Sequence, residues 1–389
     1  MIDIYKVRKD TPSCENQLFF NSAGSSLMPT PVLKRMHEYQ LLESEIGGYA
    51  AADTETDFIA KFYGATAELL NTNQNNIAFV YNATDGYSKA VSSIPFVKED
   101  IILTTDDDYI SNHLLFLSLK KRWGIDIIRC KNLPSGDLDI HDMEVKIKKY
   151  LPKLVSVTHI PTNSGKIQPV EQVGELCSLY DIWYIVDACQ SVGQISVDVQ
   201  KIKCDFLSAT GRKFLRGPRG TGFLFISDKA LLTGLEPLLI DMEGALWALE
   251  SEYTCINGAK RFECWEKNYV NQLGLTESVQ YANSIGIDNI SNYNEQLIMH
   301  LKNGLQSISN IRVTENGSKS GSIVTFMSKN RSLEQIKTLL NSNHVSYTVG
   351  LRNFALIDFN KKNIDWAIRL SPHYFNTFEE IEKVLDFLN

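Results

Sequence analysis

Ile182-Trp183-Tyr184-Ile185-Val186-Asp187 is an apolar run that ends in a carboxylate, and it continues Ala188-Cys189-Gln190-Ser191-Val192-Gly193. The run is short and rich in β-branched and aromatic residues, which reads as a buried strand. Ligands of open α/β sheets sit beyond the carboxyl ends of the strands. Asp187 therefore stands where a ligand is expected, although a carboxylate there can equally cap the next helix.

Similar runs lie on either side, at Ile77–Tyr81, Ile101–Thr104, Ile125–Cys130, Leu154–Thr158, Asp205–Ala209 and Gly222–Ile226. Helical stretches at Tyr87–Ile94, Asn112–Arg122 and Val170–Asp181 separate several of them. The alternation predicts an α/β domain with a mostly parallel seven-stranded sheet covered by helices on both faces. Beyond residue 265 the texture changes. Helices are expected at Trp265–Ser284, Ile290–Gln306, Leu333–Asn341 and Phe378–Leu388. Strands are expected at Ile311–Thr314, Ser322–Met327, Val345–Val349, Phe354–Asp358 and Ala367–Leu370. This is the pattern of a smaller α+β C-terminal domain. The expected division is residues 15–264 for the large domain and 265–389 for the small one. Residues 1–14 should pack on the small domain, and a helix at Pro31–Ser44 should lie across both.

A chain of 389 residues suits two domains. Its formal net charge of -7 argues against nucleic acid or an anionic membrane surface as the main partner. No apolar run has the length of a membrane span or the form of a signal-peptide core, so a cytoplasmic protein is expected. The seven cysteines are odd in number and show no Cys-x-x-Cys spacing. That pattern speaks against a zinc site or a disulfide framework and for reduced, mostly buried thiols with no metal.

The second informative stretch is Ser208-Ala209-Thr210-Gly211-Arg212-Lys213-Phe214-Leu215-Arg216-Gly217-Pro218-Arg219-Gly220-Thr221-Gly222. A strand runs into a lysine and then into a Gly/Pro-rich turn, where glycine allows positive φ and close backbone approach. Thr210 and Arg212 are donors suited to phosphate. A lysine that attacks a carbonyl must be partly deprotonated, and neighbouring cations and limited solvation lower its pKa towards that. Taken alone, the stretch can also be a solvated basic loop.

The two stretches together read Asp187-Ala188-x-Gln190-x-x-Gly193, then Arg212-Lys213, then Gly217-Pro218-x-Gly220-x-Gly222. This order resembles the class V (fold type I) pyridoxal-phosphate (PLP) enzymes, the group of the cysteine desulfurases, and the resemblance extends over most of the chain. It implies the fold type I architecture, PLP as cofactor, a small amino-acid substrate and a homodimer. It implies that Lys213 carries the cofactor, that Asp187 pairs with the pyridinium nitrogen and that Gln190 bonds the phenolic oxygen. Thr210 and Arg212 would hold the phosphate. Most desulfurases have His at the position of Arg212, so a proton shuttle there does not carry over.

Further matches lie in both directions. Asn82-Ala83-Thr84 opens a helix, and Ala83 and Thr84 match the family's phosphate-binding turn. Asp108-Tyr109-Ile110-Ser111-Asn112 places Tyr109 where desulfurases stack a His on the ring. Thr162, in His159-Ile160-Pro161-Thr162, would contact the phenolic oxygen, with His159 structural. Arg369 would clamp the substrate α-carboxylate. Arg261-Phe262-Glu263 matches another motif, but Trp265 and Glu266 stand where Gly-Thr is usual, which puts a phosphate contact from a partner subunit in doubt.

Desulfurases carry a nucleophilic Cys on a small-domain loop. Aligned on Gly350, Asn353 falls at that place, and Cys264 is the last cysteine of the chain. Persulfide chemistry is therefore not expected, and Asn353 becomes a candidate substrate contact. Glu43–Tyr49, His159–Thr162 and Lys260–Glu266 resemble the ergothioneine-pathway C–S lyases (hercynylcysteine sulfoxide lyase) and the isopenicillin N epimerase-like enzymes. The resulting expectation is a β-eliminating C–S lyase acting on a cysteine S-conjugate or its sulfoxide. It would release pyruvate, ammonia and a sulfur product, with Lys213 as base and Asp187 and Tyr109 as its catalytic partners. An amino-acid epimerase or aminotransferase is the alternative. A PLP-fold binding module without catalysis is a third reading, against which the retained Asp187–Lys213 pair argues.

Overall fold

The computed structural model describes residues 2–315 and 317–389. Seven strands form the main sheet: β1 (Ile77–Val80), β2 (Ile101–Thr104), β3 (Asp126–Arg129), β4 (Leu154–Thr158), β5 (Trp183–Asp187), β6 (Phe206–Thr210) and β7 (Gly222–Ile226). Their order is β1-β7-β6-β5-β4-β2-β3. β6, β5, β4, β2 and β3 are parallel, whereas β7 runs antiparallel to both β6 and β1. The expected strands are all present, several with ends moved by a residue. Asp205 shows why an end moves. Its backbone still bonds Tyr184 and Ser227 at 2.8 Å each, and its carboxylate also accepts from the amide of Tyr184 and from the Ser227 hydroxyl, so it ties the strand ends together just ahead of β6.

Both faces of the sheet are buried, which is why the strands read as continuous apolar runs. Successive side chains leave on opposite sides. Leu154, Ile185, Phe206 and Leu224 enter one core, and their neighbours Val155, Val186, Leu207 and Phe225 enter the other. Helices α1 (Thr30–Ile46), α2 (Thr56–Leu70), α3 (Ala83–Ser93), α4 (Ile110–Trp123) and α5 (Val170–Leu179) belong to this domain.

The smaller sheet has β8 (Ile311–Val313), β9 (Val324–Ser328), β10 (Thr348–Leu351) and β11 (Trp366–Leu370) in the order β8-β9-β11-β10, all antiparallel. Helices α6 (Tyr269–Ile285), α7 (Ile287–Ser307), α8 (Leu333–Ser342), α9 (Leu356–Lys362) and α10 (Phe378–Leu388) complete the chain. The last begins at a capping box between Thr377 and Glu380, as its sequence suggests. None of the described helices is long and apolar enough to cross a membrane.

Three expectations are corrected. Phe354–Asp358 is not a strand; Arg352–Phe354 is a short turn and α9 follows. A five-residue apolar run does not distinguish strand from helix by periodicity. Here the Asp358–Lys362 pair, one helical turn apart at 2.7 Å, fits the helix. Second, the boundary at residue 264 does not follow the packing. Leu273 of α6 packs with Tyr39 of α1, and Leu275, Val279 and Ala282 lie in a core of the large sheet. α1 therefore lies on α6 rather than across the two domains. Third, the N-terminal segment is the true bridge. Val7 is in the large-domain core, while Arg8 donates to Glu380 at 2.7 Å and to the Phe375 carbonyl at 2.9 Å. Leu18–Phe19 pairs with Val345–Ser346 of the small domain.

Gly222 couples β7 to the functional end of the sheet. A Cβ there would lie 2.4 Å from the Ala209 carbonyl oxygen and 3.3 Å from the Ala83 nitrogen at the start of α3. Gly222→Ala should therefore cost about 1–3 kcal/mol through overpacking. Thermal unfolding checks this, and a midpoint equal to the unmodified chain's would show that strand and helix can part without cost.

Candidate active site

Asp187 is the last residue of β5, and its side chain is held from two directions. Asn112 Nδ2, on α4, donates to Oδ2 at 3.1 Å, and the Cys189 amide donates to Oδ1 at 3.0 Å. Asn112 also donates to Asp108 at 2.8 Å. Asp108 is a buried hub that accepts from Thr104 at 2.7 Å, Thr158 at 2.6 Å, Ser156 at 3.1 Å and the Tyr109 amide at 2.8 Å. Tyr109 is thereby fixed at the start of α4, and its ring centroid lies 5.9 Å from Lys213 Nζ.

Lys213 follows β6 and is 8% exposed. Burial, aided by the Arg212 and Arg369 cations, lowers its pKa against the opposing pull of Cys189 and Asp187. The amine is thus drawn towards the neutral, nucleophilic form. The turn after it is tightly determined. The Arg216 amide bonds back to the Lys213 carbonyl at 2.9 Å, and Arg216 itself has φ 64°, a left-handed conformation unusual for a residue with Cβ. Its buried guanidinium donates to the Leu27 carbonyl at 2.9 Å and to Thr11, between the rings of Tyr374 and Phe375 at 5.0 and 4.8 Å. Gly193, at φ 89°, lets the β5 loop touch this turn, since a Cβ there would sit 2.6 Å from the Phe214 carbonyl oxygen.

These residues line a cleft at the carboxyl ends of β4, β5 and β6, with about 590 Å³ of empty space counting its open mouth. At one end lie Ala83, Thr84, Thr210 and Arg212. The Asn82 side chain caps α3 by accepting from the Asp85 amide, and the first-turn amides of Ala83 and Thr84 at the helix end have no partner among the described residues. Among the described residues no side chain pairs with the Arg212 guanidinium. An amide-rich helix end beside an unpaired arginine is an anion site. In the middle, Gln190 donates to the Ala23 carbonyl at 3.1 Å and to Thr162 at 2.9 Å, while its buried Oε1 has no partner. An anchored carboxylate, a buried lysine, an anion pocket and a Gln190 amide whose acceptor oxygen has no partner among the described residues form a set of polar groups that fits PLP.

Arg369 lies at the end of β11 and reaches this cleft from the small domain. Its guanidinium donates to Thr348 at 3.2 Å and to Thr162, and its buried Nε has no partner. Burial and the nearby Arg212 push its pKa down to about 10. It shares an adjoining cavity with Tyr109, Thr162, Arg212 and Lys213. Asn353 does not. It is exposed on the short turn, and Leu351 and Phe354 form the wall instead. Asn353 thus lies outside the group that the structure brings together, while its neighbour Phe354, itself exposed, borders the cavity. His159 is buried, with its pKa pushed by burial down to about 4. Glu263 pairs with Lys267 at 2.6 Å and accepts from the Phe79 amide at 2.9 Å, a role in packing.

Sequence reasoning gave no role to Asp108, Asn112 or Cys189, although all three fall inside quoted motifs. The one-turn spacing of Asp108 and Asn112 at a helix start was the available signal.

Residues 18–384 match the aminotransferase class-V family. A probable cysteine desulfurase of Pyrococcus abyssi is 30% identical over 98% of this chain and 96% of its own. The apo structure of the cysteine desulfurase from Thermococcus onnurineus NA1 is 26% identical, covers 100% of this chain and 98% of its own, and superposes with a TM-score of 0.92. A variant of the C-DES enzyme with glycine covalently linked to its PLP cofactor has a TM-score of 0.87 over 98% of each chain, and at 22% identity it bears on the fold alone. These findings overturn the expected β-eliminating lyase that releases pyruvate, together with its epimerase or aminotransferase alternative. They give no support to a special likeness to the ergothioneine-pathway lyases or the isopenicillin N epimerase-like enzymes. One missing thiol at Asn353 was weighed against desulfurases, whereas the likeness to them extends over nearly the whole chain. The chain belongs to the class-V aminotransferase family, has the fold type I architecture and takes pyridoxal 5'-phosphate as its cofactor.

Proposed function

We propose that the chain breaks the Cβ–S bond of cysteine, leaves alanine and passes the sulfur to a thiol supplied from outside the cleft. The observation that carries this reading is the full-length likeness to cysteine desulfurases. When bound, PLP supplies an electron sink for the substrate Cα. The remaining work belongs to the protein. Arg369, buried and without a carboxylate partner among the described residues, takes the substrate carboxylate. Lys213 Nζ, whose pKa burial lowers, takes the Cα proton. Asp187 would pair with the pyridine nitrogen, and Gln190 and Thr162 would stand at the phenolic oxygen. Thr84, Thr210, Arg212 and the Ala83 amide would hold the phosphate. Tyr109 would offer its aromatic face to the cofactor.

The acceptor follows from the thiols. Cys189 is the cysteine that lines the cleft, and burial pushes its thiol well up, which keeps it protonated and a poor nucleophile. Cys264 lies beside Lys89, with Lys89 Nζ 3.4 Å from its Sγ. An external thiol balances the reaction. Cysteine and R–SH give alanine and R–S–SH; the Cβ–S bond breaks, an S–S bond forms, and no oxidant is needed.

With L-cysteine and excess dithiothreitol, alanine and sulfide should appear in equal amounts, measured by amino-acid analysis and a sulfide assay. Pyruvate in place of alanine would overturn the proposal. Lys213→Ala should abolish the visible absorbance of the native holoenzyme and reduce turnover by about 10³-fold or more. Arg369→Lys should raise KM for the amino acid by about 10–100-fold, the value of a charge-assisted pair, while the cofactor spectrum is retained.

The same reading includes a homodimer. The hairpin Ala245–Leu249/Glu252–Cys255 exposes Leu246, Trp247 and Leu249, an apolar face that pairing would cover. Trp247→Arg should then shift the sedimentation coefficient to that of a monomer. An unchanged value would place the interface elsewhere.

A further inference from the structure

A group of buried charges joins the two domains beside the cleft. Asp107, in the turn after β2, meets Lys166 at 2.5 Å. On the small-domain side, Lys362 of α9 pairs with Asp358 at 2.7 Å and with Glu315. Asn163 Nδ2, next to Thr162, donates to Asp358 Oδ2 at 2.6 Å. Asp106 pairs with Lys361 at the edge of the group. Asp107, Asp358, Glu315 and Lys166 are all buried.

The inner charges do not balance. Asp107, Asp358 and Glu315 face the ammonium groups of Lys166 and Lys362, and an uncompensated buried charge is costly. Asp107 Oδ1 is buried and receives no hydrogen bond from any nitrogen or from a hydroxyl among the described residues. A protonated neighbouring carboxyl group resolves both problems. Desolvation, and then the charge of Asp107, push Asp358 up to about 8. Although burial opposes it, Lys166 and Lys362 hold Asp107 below the usual carboxylate range. Near neutrality Asp358 therefore carries a proton that it can donate to Asp107.

The segments tied together are the walls of the substrate cleft. Asp107 is in the turn that presents Tyr109, Asn163 adjoins Thr162, and Asp358 is on the helix that carries Phe359 after Phe354. We propose that Asp107, Asp358, Lys166 and Lys362 form a clamp that positions the Phe354–Phe359 wall against Tyr109 and Thr162, closed by a carboxyl–carboxylate hydrogen bond between Asp107 and Asp358. These are positioning residues, and the clamp acts whichever amino acid is turned over.

The sign of the pH dependence follows. A carboxyl group with a raised pKa stabilises the closed arrangement while protonated, and that contribution is lost as pH rises through about 8. The charged groups facing Asp358 are Asp107 from the β2 turn, Glu315 after β8 and Lys362 of its own helix, while Lys166 faces Asp107 and Lys361 faces Asp106 at the edge.

Hydrogen exchange of the holoenzyme, corrected for the intrinsic rate, tests the clamp without any assay of turnover. Protection of the amides in 351–362 should fall about tenfold between pH 7 and 9, following the protonated fraction of Asp358. Protection of α10 in the same domain should not change. In Asp358→Asn, whose amide donates without titrating, protection of 351–362 should remain level across that range. A level profile in the unmodified protein, or an equal fall in the Asn variant, overturns the proposal. The unmodified profile decides even if the variant does not fold.

Discussion

The candidate site depends on the carboxylate of Asp108. It gathers hydroxyl donors from β2 and β4 and an amide donor from α4 within hydrogen-bond distance. Through Asn112 it fixes the side chain of Asp187, and through the backbone it fixes Tyr109. Asp187 and Tyr109 share this buried carboxylate as a common anchor. Its donors are numerous enough to offset the desolvation that such burial costs.

Lys213 is positioned by different means. Its own strand brings it to the cavity, but the turn beyond it is set by Arg216, whose left-handed backbone and buried guanidinium are held by parts of the chain remote in sequence. Burial then lowers the pKa of the lysine. Burial likewise lowers the pKa of Arg369, which has no carboxylate partner among the described residues and so stands in the cleft as a desolvated cation.

Much of this was legible in the sequence, for physical reasons. Strands buried on both faces read as unbroken apolar runs, and Asp187, Lys213 and the following glycines lie in linear motifs whose order is fixed. The parts that were missed depend on contacts between distant segments. Nothing local shows that Asp108 collects donors across the sheet, or that α6 leaves the small domain to pack on α1. The run Phe354–Asp358 is too short to separate strand from helix, and this conceals the turn that leaves Phe354 rather than Asn353 at the rim of the cavity. The reaction was misjudged because one absent thiol outweighed a likeness spread along the chain.

The clasp on Arg216 also constrains the order of assembly. Thr11 and Leu27 hold it from the beginning of the chain, and Tyr374 and Phe375 hold it from the end. During synthesis the large sheet can form while the C-terminal segment is still inside the ribosome, since domains fold as units from the N-terminus. The ring contacts on Arg216 are complete only once that segment has emerged and docked, so the seat of the lysine turn is finished late in synthesis although most of its residues emerge earlier.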